Sequence, residues 1–341
     1  MNYSIHTFEI TLVVDTSTFQ KLLDRAYKKA KGKHRLFEKN NISVDYALAP
    51  YGITISYNKY EFKKKVKLIV NPSKILGGDD VPQLWKPNKD NISELLYILN
   101  THIDNYFNSK YELDDFKVTR MDFTVNIKFD NKEKVSHYIK TLQRIGKVKW
   151  FSPLSDPWID KNLSFCLKGN SNGVEFTAYD KAKQLKKQLS EIELKHKDEL
   201  EARIERAEGI LRIEVRLTEQ KAIRTYTNEI KTSKQIKDLS KMSEHIFLDT
   251  FVRIVPVGSF CKKDDAIEII NNEVTDKTLR KKMIQLVELI PNKRSILLAQ
   301  KELNYRKIDQ VMDTFRSIEL SPVTISKRQN ISTLKNIYKY L

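Results

Sequence analysis

Three short segments place carboxylates, arginines and a phenol at alternating positions. In Val118-Thr119-Arg120-Met121-Asp122-Phe123-Thr124-Val125-Asn126-Ile127, strand alternation puts Met121, Phe123, Val125 and Ile127 on one face, and Arg120, Asp122, Thr124 and Asn126 on the other. Leu211–Leu217 repeats the logic, with Arg212, Glu214 and Arg216 opposite Leu211, Ile213, Val215 and Leu217. In Val174–Tyr179 the polar face carries Glu175, Thr177 and Tyr179. Asp122 and Glu214 are hard oxygen donors suited to Mg²⁺ or Mn²⁺, and arginines beside them suit a phosphodiester. Any one of these strands would also serve as the solvated face of an open antiparallel sheet, where Arg–Glu cross-strand pairs contribute little. Together they have the composition of a phosphoryl-transfer site.

Tyr179 precedes Asp180 and Lys181, where a strand gives way to a helix. A phenol of ordinary pKa near 10 attacks phosphorus poorly at neutral pH, so it needs a bound metal or a neighbouring ammonium such as Lys181. The six histidines (His6, His34, His102, His137, His196 and His245) are isolated and read as surface or core residues rather than ligands. Cys166 and Cys261 have no metal-ligand spacing, which excludes a disulfide scaffold and a cysteine zinc site.

The chain of 341 residues carries 61 Lys+Arg against 44 Asp+Glu, a net charge of +17. That excess favours a polyanionic partner, because Lys and Arg replace counterions condensed on phosphates. Clusters such as Lys63, Lys65 and Lys67, Lys28 to Arg35, and Lys181 to Lys187 would add to an attracting field. No run approaches the ~20 apolar residues of a membrane span, and the N-terminus lacks a basic-then-apolar leader, so a cytoplasmic protein with no membrane partner is expected.

The elements that position these groups read as a repeat. A strand from Ile5 to Val14 leads to an amphipathic helix with Phe19, Leu22, Leu23, Ala26, Tyr27 and Ala30 on one face. Three β-type runs follow (Ile42–Leu48, Gly52–Tyr57, Phe62–Val70), then a helix at Ile92–Phe107. The order restarts with Lys117–Phe129, a helix bearing Val135, Tyr138, Ile139, Leu142 and Ile145, a hairpin of Leu163–Lys168 and Val174–Tyr179, a long charged helix over Lys181–Ala207, and a strand at Ile210–Leu217. The expected fold is α+β: two diverged β-α-β-β-β-α units forming an antiparallel sheet with helices on one face, followed by a mostly helical C-terminal lobe. The domain boundary falls near residue 230, separating a β-rich part (1–230) from a helical one (231–341). In that lobe helices are predicted at 233–254, 275–290, 293–302 and 304–317, with turns at Pro256-Val257-Gly258, Pro291 and Pro322. Arg280-Lys281-Lys282 and the 293–317 helix pair would suit docking in a DNA groove.

Thr119-Arg120-Met121-Asp122-Phe123-Thr124-Val125-Asn126, Phe176-Thr177-Ala178-Tyr179-Asp180-Lys181-Ala182-Lys183 and Leu211–Leu217, in that order and spacing, resemble rolling-circle replication initiators. The resemblance is to phage and plasmid gene II/X-type proteins and to transposon- and plasmid-type initiators with the same Tyr-Asp-Lys element; Phe315–Ile325 also looks like the tail of such proteins. It implies that Tyr179 is the nicking nucleophile, that Asp122 and Glu214 bind Mg²⁺ or Mn²⁺, and that Lys181 assists at the phosphate. Arg120, Asn126, Arg212 and Arg216 would hold the nucleic acid. On the same resemblance, 1–230 is a nicking and joining domain and 231–341 a helical DNA-binding or accessory domain. The His-hydrophobe-His motif of another initiator and relaxase group is absent, which argues for carboxylate ligands. Origin DNA, duplex and single strand, is the implied partner in a bacterial host cell, along with a host helicase and a second copy of the chain. The alternatives are a conjugative relaxase sharing the chemistry, or a non-catalytic nucleic-acid-binding protein, which would display stacking aromatics on the polar faces. A tyrosine recombinase would need an all-helical catalytic domain.

Overall fold

The computed structural model describes residues 3–30, 36–39, 41–59, 63–79, 81–154, 164–189 and 197–341. The expected positions at Lys31, Lys33, His34, Arg35, Phe62, Leu163 and His196 lie outside them.

Within the described residues, ten strands form one antiparallel sheet with two matching halves. The first half comprises β1 (Ser4–Val14), α1 (Thr16–Ala30), β2 (Leu36–Lys39), β3 (Ile42–Asp45), β4 (Ile53–Asn58) and β5 (Lys64–Val70). Two helices, α2 (Pro72–Ile75) and α3 (Lys89–Phe107), follow it. The second half comprises β6 (Lys117–Lys128), α4 (Glu133–Leu142), β7 (Phe151–Pro153), β8 (Ser164–Gly169), β9 (Val174–Asp180), α5 (Lys181–Leu189), α6 (Lys197–Ala207) and β10 (Ile210–Leu217). Beyond the sheet come α7 (Gln220–Arg224), α8 (Thr232–Lys241), α9 (Ser243–Ile254), α10 (Lys263–Glu273), α11 (Lys277–Lys293), α12 (Ile296–Leu303) and α13 (Ile308–Ser317).

In spatial order the sheet runs β2-β3-β4-β5-β1-β6-β10-β9-β8-β7. Each half starts at the central seam where β1 pairs with β6, crosses by one helix to an outer edge, and walks back strand by strand. The repeat read from sequence is therefore present, with its boundary moved: β10 closes the second half, and α5–α6 is inserted before it.

Alternation fixes the core face. Phe8, Ile10, Leu12, Val66, Leu68, Val70, Met121, Phe123, Val125, Ile213 and Val215 are all buried, and α1, α4, α8 and α9 pack on the sheet. Burying each large apolar side chain contributes about 1.5–3 kcal/mol, which is why the register holds. One continuous apolar core runs from Ile5 through Phe247, Phe251 and Val311 to Ile337, so the helices beyond residue 231 share the sheet's core.

Two local expectations change. Where one long helix was expected over 181–207, the described residues form two helices, α5 and α6, that pack on each other through Ala182, Leu185, Leu200, Ile204 and Ala207. This pair also covers Ile210, which shares a face with Arg212 and Glu214, so it lies on the polar side of the sheet. Val81 joins the same cluster, and Arg206 Nη2 binds Asp79 Oδ2 at 2.6 Å, tying both residues to α6. The turn expected at Pro291 is likewise absent: α11 continues through it, since a proline in the last turn forfeits a single backbone hydrogen bond.

Gly209 brings the chain into β10 at φ +74, and a Cβ there would sit 2.4 Å from the Phe129 carbonyl oxygen. Gly209→Ala is expected to lower stability by about 1–3 kcal/mol, read from chemical denaturation; an unchanged midpoint would contradict this role at the β6–β10 junction.

Candidate functional site

The polar groups gather where the two halves meet. In β10, Glu214 stands opposite Thr124 of β6 and Thr177 of β9, while Arg216 stands opposite Asp122 and Glu175, and Arg212 opposite Asn126 and Tyr179. Asp122 and Glu214 are both 0% exposed. Each is held by the arginine two residues away on its own strand, which alternation places on the same face. Arg120 donates from Nε to Asp122 Oδ1 at 2.8 Å and from Nη2 to Oδ2 at 2.7 Å, and its Nη1 binds Glu9 Oε1. Arg216 donates from Nε to Glu214 Oε2 at 3.1 Å, adds a short bond from Nη2, and approaches Asp122 Oδ2 at 3.8 Å. Two-point guanidinium–carboxylate contacts of this kind offset the desolvation of a buried charge.

The phenol joins the same group: Tyr179, buried at the end of β9, donates its hydroxyl hydrogen to Glu214 Oε1 at 2.8 Å. Burial first, and the Glu214 carboxylate second, push its pKa well above the ordinary tyrosine value, while Arg212 and Arg216 pull the other way. Burial raises Glu214 too, but Arg216, His6 and Arg212 outweigh it and hold this carboxyl well below its usual range. Arg212 donates from Nε to Asn126 Oδ1 at 2.8 Å, and Asn126 Nδ2 donates to the Pro82 carbonyl at 2.7 Å. Lys181, buried at the start of α5, turns its Nζ to Gln184 Oε1 at 3.0 Å.

His6 is the residue that reading the sequence missed. It does not stand apart: its Nδ1 lies 3.3 Å from Glu214 Oε1. The cause is a β-bulge. Ile5 pairs with Phe123 and Phe8 with Met121, so His6 and Thr7 together oppose the single residue Asp122. Thr7 uses its place to donate to Asp122 Oδ2 at 2.7 Å, and His6 reaches Glu214. The signal was the three-residue step between core positions Ile5 and Phe8 in a strand otherwise stepping by two.

Donor atoms of His6, Asp122 and Glu214 all lie within 4.8 Å of one another, and among the described residues no other three His, Cys, Asp or Glu converge so closely. An octahedral ion with bonds of 2.0–2.1 Å spans about 4.2 Å between opposite ligands, so a small inward shift of this set would enclose Mg²⁺ or Mn²⁺. Two carboxylate oxygens and one imidazole nitrogen are a chemically apt donor set for such an ion. Two other tyrosines at the core have structural partners: Tyr138 donates to the Lys335 carbonyl at 2.9 Å, and Tyr226 to Asp249 Oδ2 at 2.8 Å.

A family model for the N-terminal part of the phage replication-associated gene II protein matches residues 14–238. Among solved structures, the rolling-circle replication initiator protein from Geobacillus stearothermophilus is similar at 12% identity and a TM-score of 0.31, over 82% of this chain and 90% of that one. No curated protein matches the chain. Among the described residues, no helix is long and apolar enough to cross a membrane.

Because Glu214 has a lowered pKa when folded, it contributes stability that is present above its unfolded value of about 4.3 and is lost as pH falls through the lower folded value. Acid titration of the folded protein is expected to show a loss of stability beginning below that unfolded value, smaller in Glu214→Gln. A Glu214→Gln variant with the same acid limb would refute the pairing.

Proposed function

Because the chain belongs to the family of the phage replication-associated gene II protein, we propose that it is a rolling-circle replication initiator that nicks and rejoins one DNA strand through Tyr179. The observation that carries this reading is the 2.8 Å hydrogen bond from the Tyr179 hydroxyl to Glu214, inside the cluster that also holds His6 and Asp122.

In the proposed reaction the Tyr179 oxygen forms a bond to phosphorus and its proton is released to solvent, the Glu214 carboxylate orienting the phenol through their hydrogen bond until then. The bond from phosphorus to the 3′ oxygen breaks, and that oxygen takes a proton and leaves as a 3′-hydroxyl. The 5′ end remains on Tyr179 as a phosphodiester. One phosphate ester replaces another, so attack by a 3′-hydroxyl reverses the step without ATP. A divalent ion held by His6, Asp122 and Glu214 would neutralise the non-bridging oxygens and lower the pKa of the phenol, opposing the effect of burial. Arg120 and Arg216, now on the carboxylates, would transfer guanidinium hydrogen bonds to the phosphate; Arg212 and Asn126 would hold the adjoining nucleotide. Lys181 would add positive charge behind the nucleophile. Residues 231–341, with Arg280, Lys281 and Lys282, are proposed to engage the origin duplex, and a host helicase to open it.

Tyr179→Phe is expected to abolish the covalent adduct on a supercoiled origin plasmid while leaving duplex binding intact; normal nicking by this variant would sink the assignment. His6→Ala is expected to retain the adduct but raise the Mn²⁺ concentration for half-maximal formation about tenfold or more, the effect of losing ~1.4 kcal/mol of ligation. An unchanged metal requirement would remove His6 from the ligand set.

A further inference from the structure

The polar rows of the sheet lead from the carboxylates to an exposed tryptophan at its outer edge. Asp122 pairs with Arg216, Arg216 with Glu175, Glu175 with Lys168, and Lys168 with Ser152 of β7. These residues lie on one face of five neighbouring strands. Two residues ahead of Ser152, the chain reverses through a tight turn in which Val148 N and Phe151 N bond each other's carbonyls at 3.1 and 3.2 Å. Lys149 and Trp150 occupy its two central positions.

Trp150 is an outlier there. Its φ of +72 belongs to the second central position of a turn that ordinarily takes Gly or Asn, and a bulky aromatic in the left-handed region is strained. Little burial offsets this, the residue being 60% exposed. Lys149 Nζ lies 5.5 Å from its ring centroid, so a cation and a large π-face are offered together. A strained, exposed aromatic next to a lysine, at the end of a polar row that starts in the site, matches the pairing of stacking surface and positive charge that binds single-stranded nucleic acid.

We propose that Trp150 is a stacking platform for a base of the single strand that runs out of the site, with Lys149 and Lys168 contacting its phosphates. This rests on the nicking reading above. Tyr179 stands opposite Ser164 of β8, and Asn170, six residues further on, bonds the Trp150 carbonyl. Two strand spacings across and about 20 Å along the strands give a span of about 22 Å, so the stacked base lies about six or seven nucleotides from the scissile phosphate at stacked spacing. The aromatic expected of a nucleic-acid platform is thus at the edge of the sheet rather than on its polar face.

The test measures binding of labelled single-stranded oligonucleotides spanning the nick, and of versions trimmed from each end, to the full chain and its variants. Trp150→Ala should weaken binding of the longest oligonucleotide about tenfold or more, and Trp150→Tyr should restore most of it. For oligonucleotides trimmed from one end only, wild type and Trp150→Ala should bind alike. Lys168→Ala should instead lower the salt dependence of binding by about one phosphate contact. At saturating oligonucleotide the adduct yield of Trp150→Ala should equal that of wild type. Equal affinity of wild type and Trp150→Ala for the longest oligonucleotide, or a loss that persists after trimming from either end, would overturn the proposal. A wild type that forms no adduct yet binds in a Trp150-dependent way would defeat the nicking reading and leave the platform standing.

Discussion

Two carboxylates buried at the seam of the sheet govern this protein. Asp122 and Glu214 lie diagonally across the β6–β10 pair without access to water, a placement that costs several kcal/mol per ion unless charge of opposite sign surrounds it. Arg120 and Arg216 supply that charge through two-point contacts, and Thr7 and Tyr179 fill further acceptor positions. The same groups are what a divalent ion and a phosphodiester would recruit. In the proposed cycle the arginines balance the carboxylates in the resting protein and become phosphate ligands when cation and DNA arrive.

The topology explains why the network forms where it does. Each half of the sheet begins at the seam, so β1 and β6 lie side by side, and β10 and β9 come next. Four adjacent strands contribute one residue each: His6, Asp122, Glu214 and Tyr179. The two halves share an architecture and differ in the chemistry of their polar faces. On the first half, the positions matching β10 and β9 hold Lys65 and Lys67 on β5 and Thr54, Ser56 and Asn58 on β4, with no carboxylate. On the second, α5 and α6 close one end of the polar face over Ile210 and Val81, which helps keep Tyr179 buried at the foot of α5.

Much of this was legible in alternation. A period of two separated the core and polar faces of β6, β9 and β10, and with them placed Asp122, Tyr179, Glu214 and the three arginines on the polar side; the family match agrees with the resemblance those segments carry. His6 was hidden because a bulge breaks the period that made the others visible, and because its partner Glu214 is 208 positions away in a strand two places across the sheet. The matched family span also begins after it. The split of the helix over 181–207 and its place on the polar face depend on Ile210 needing cover, a tertiary demand that helical periodicity cannot express. Nothing in the sequence marks Trp150, since its distinguishing feature is a backbone φ of +72.

The central claim is that Tyr179 is the atom source of the bond to DNA. Incubating the protein with a single-stranded origin oligonucleotide and Mn²⁺, digesting it and locating the adduct by mass spectrometry tests this directly. The expected result is a nucleotide on the phenolic oxygen of Tyr179, absent when the metal is chelated. An adduct on Tyr138 or Tyr226, or one formed equally well without metal, would contradict it.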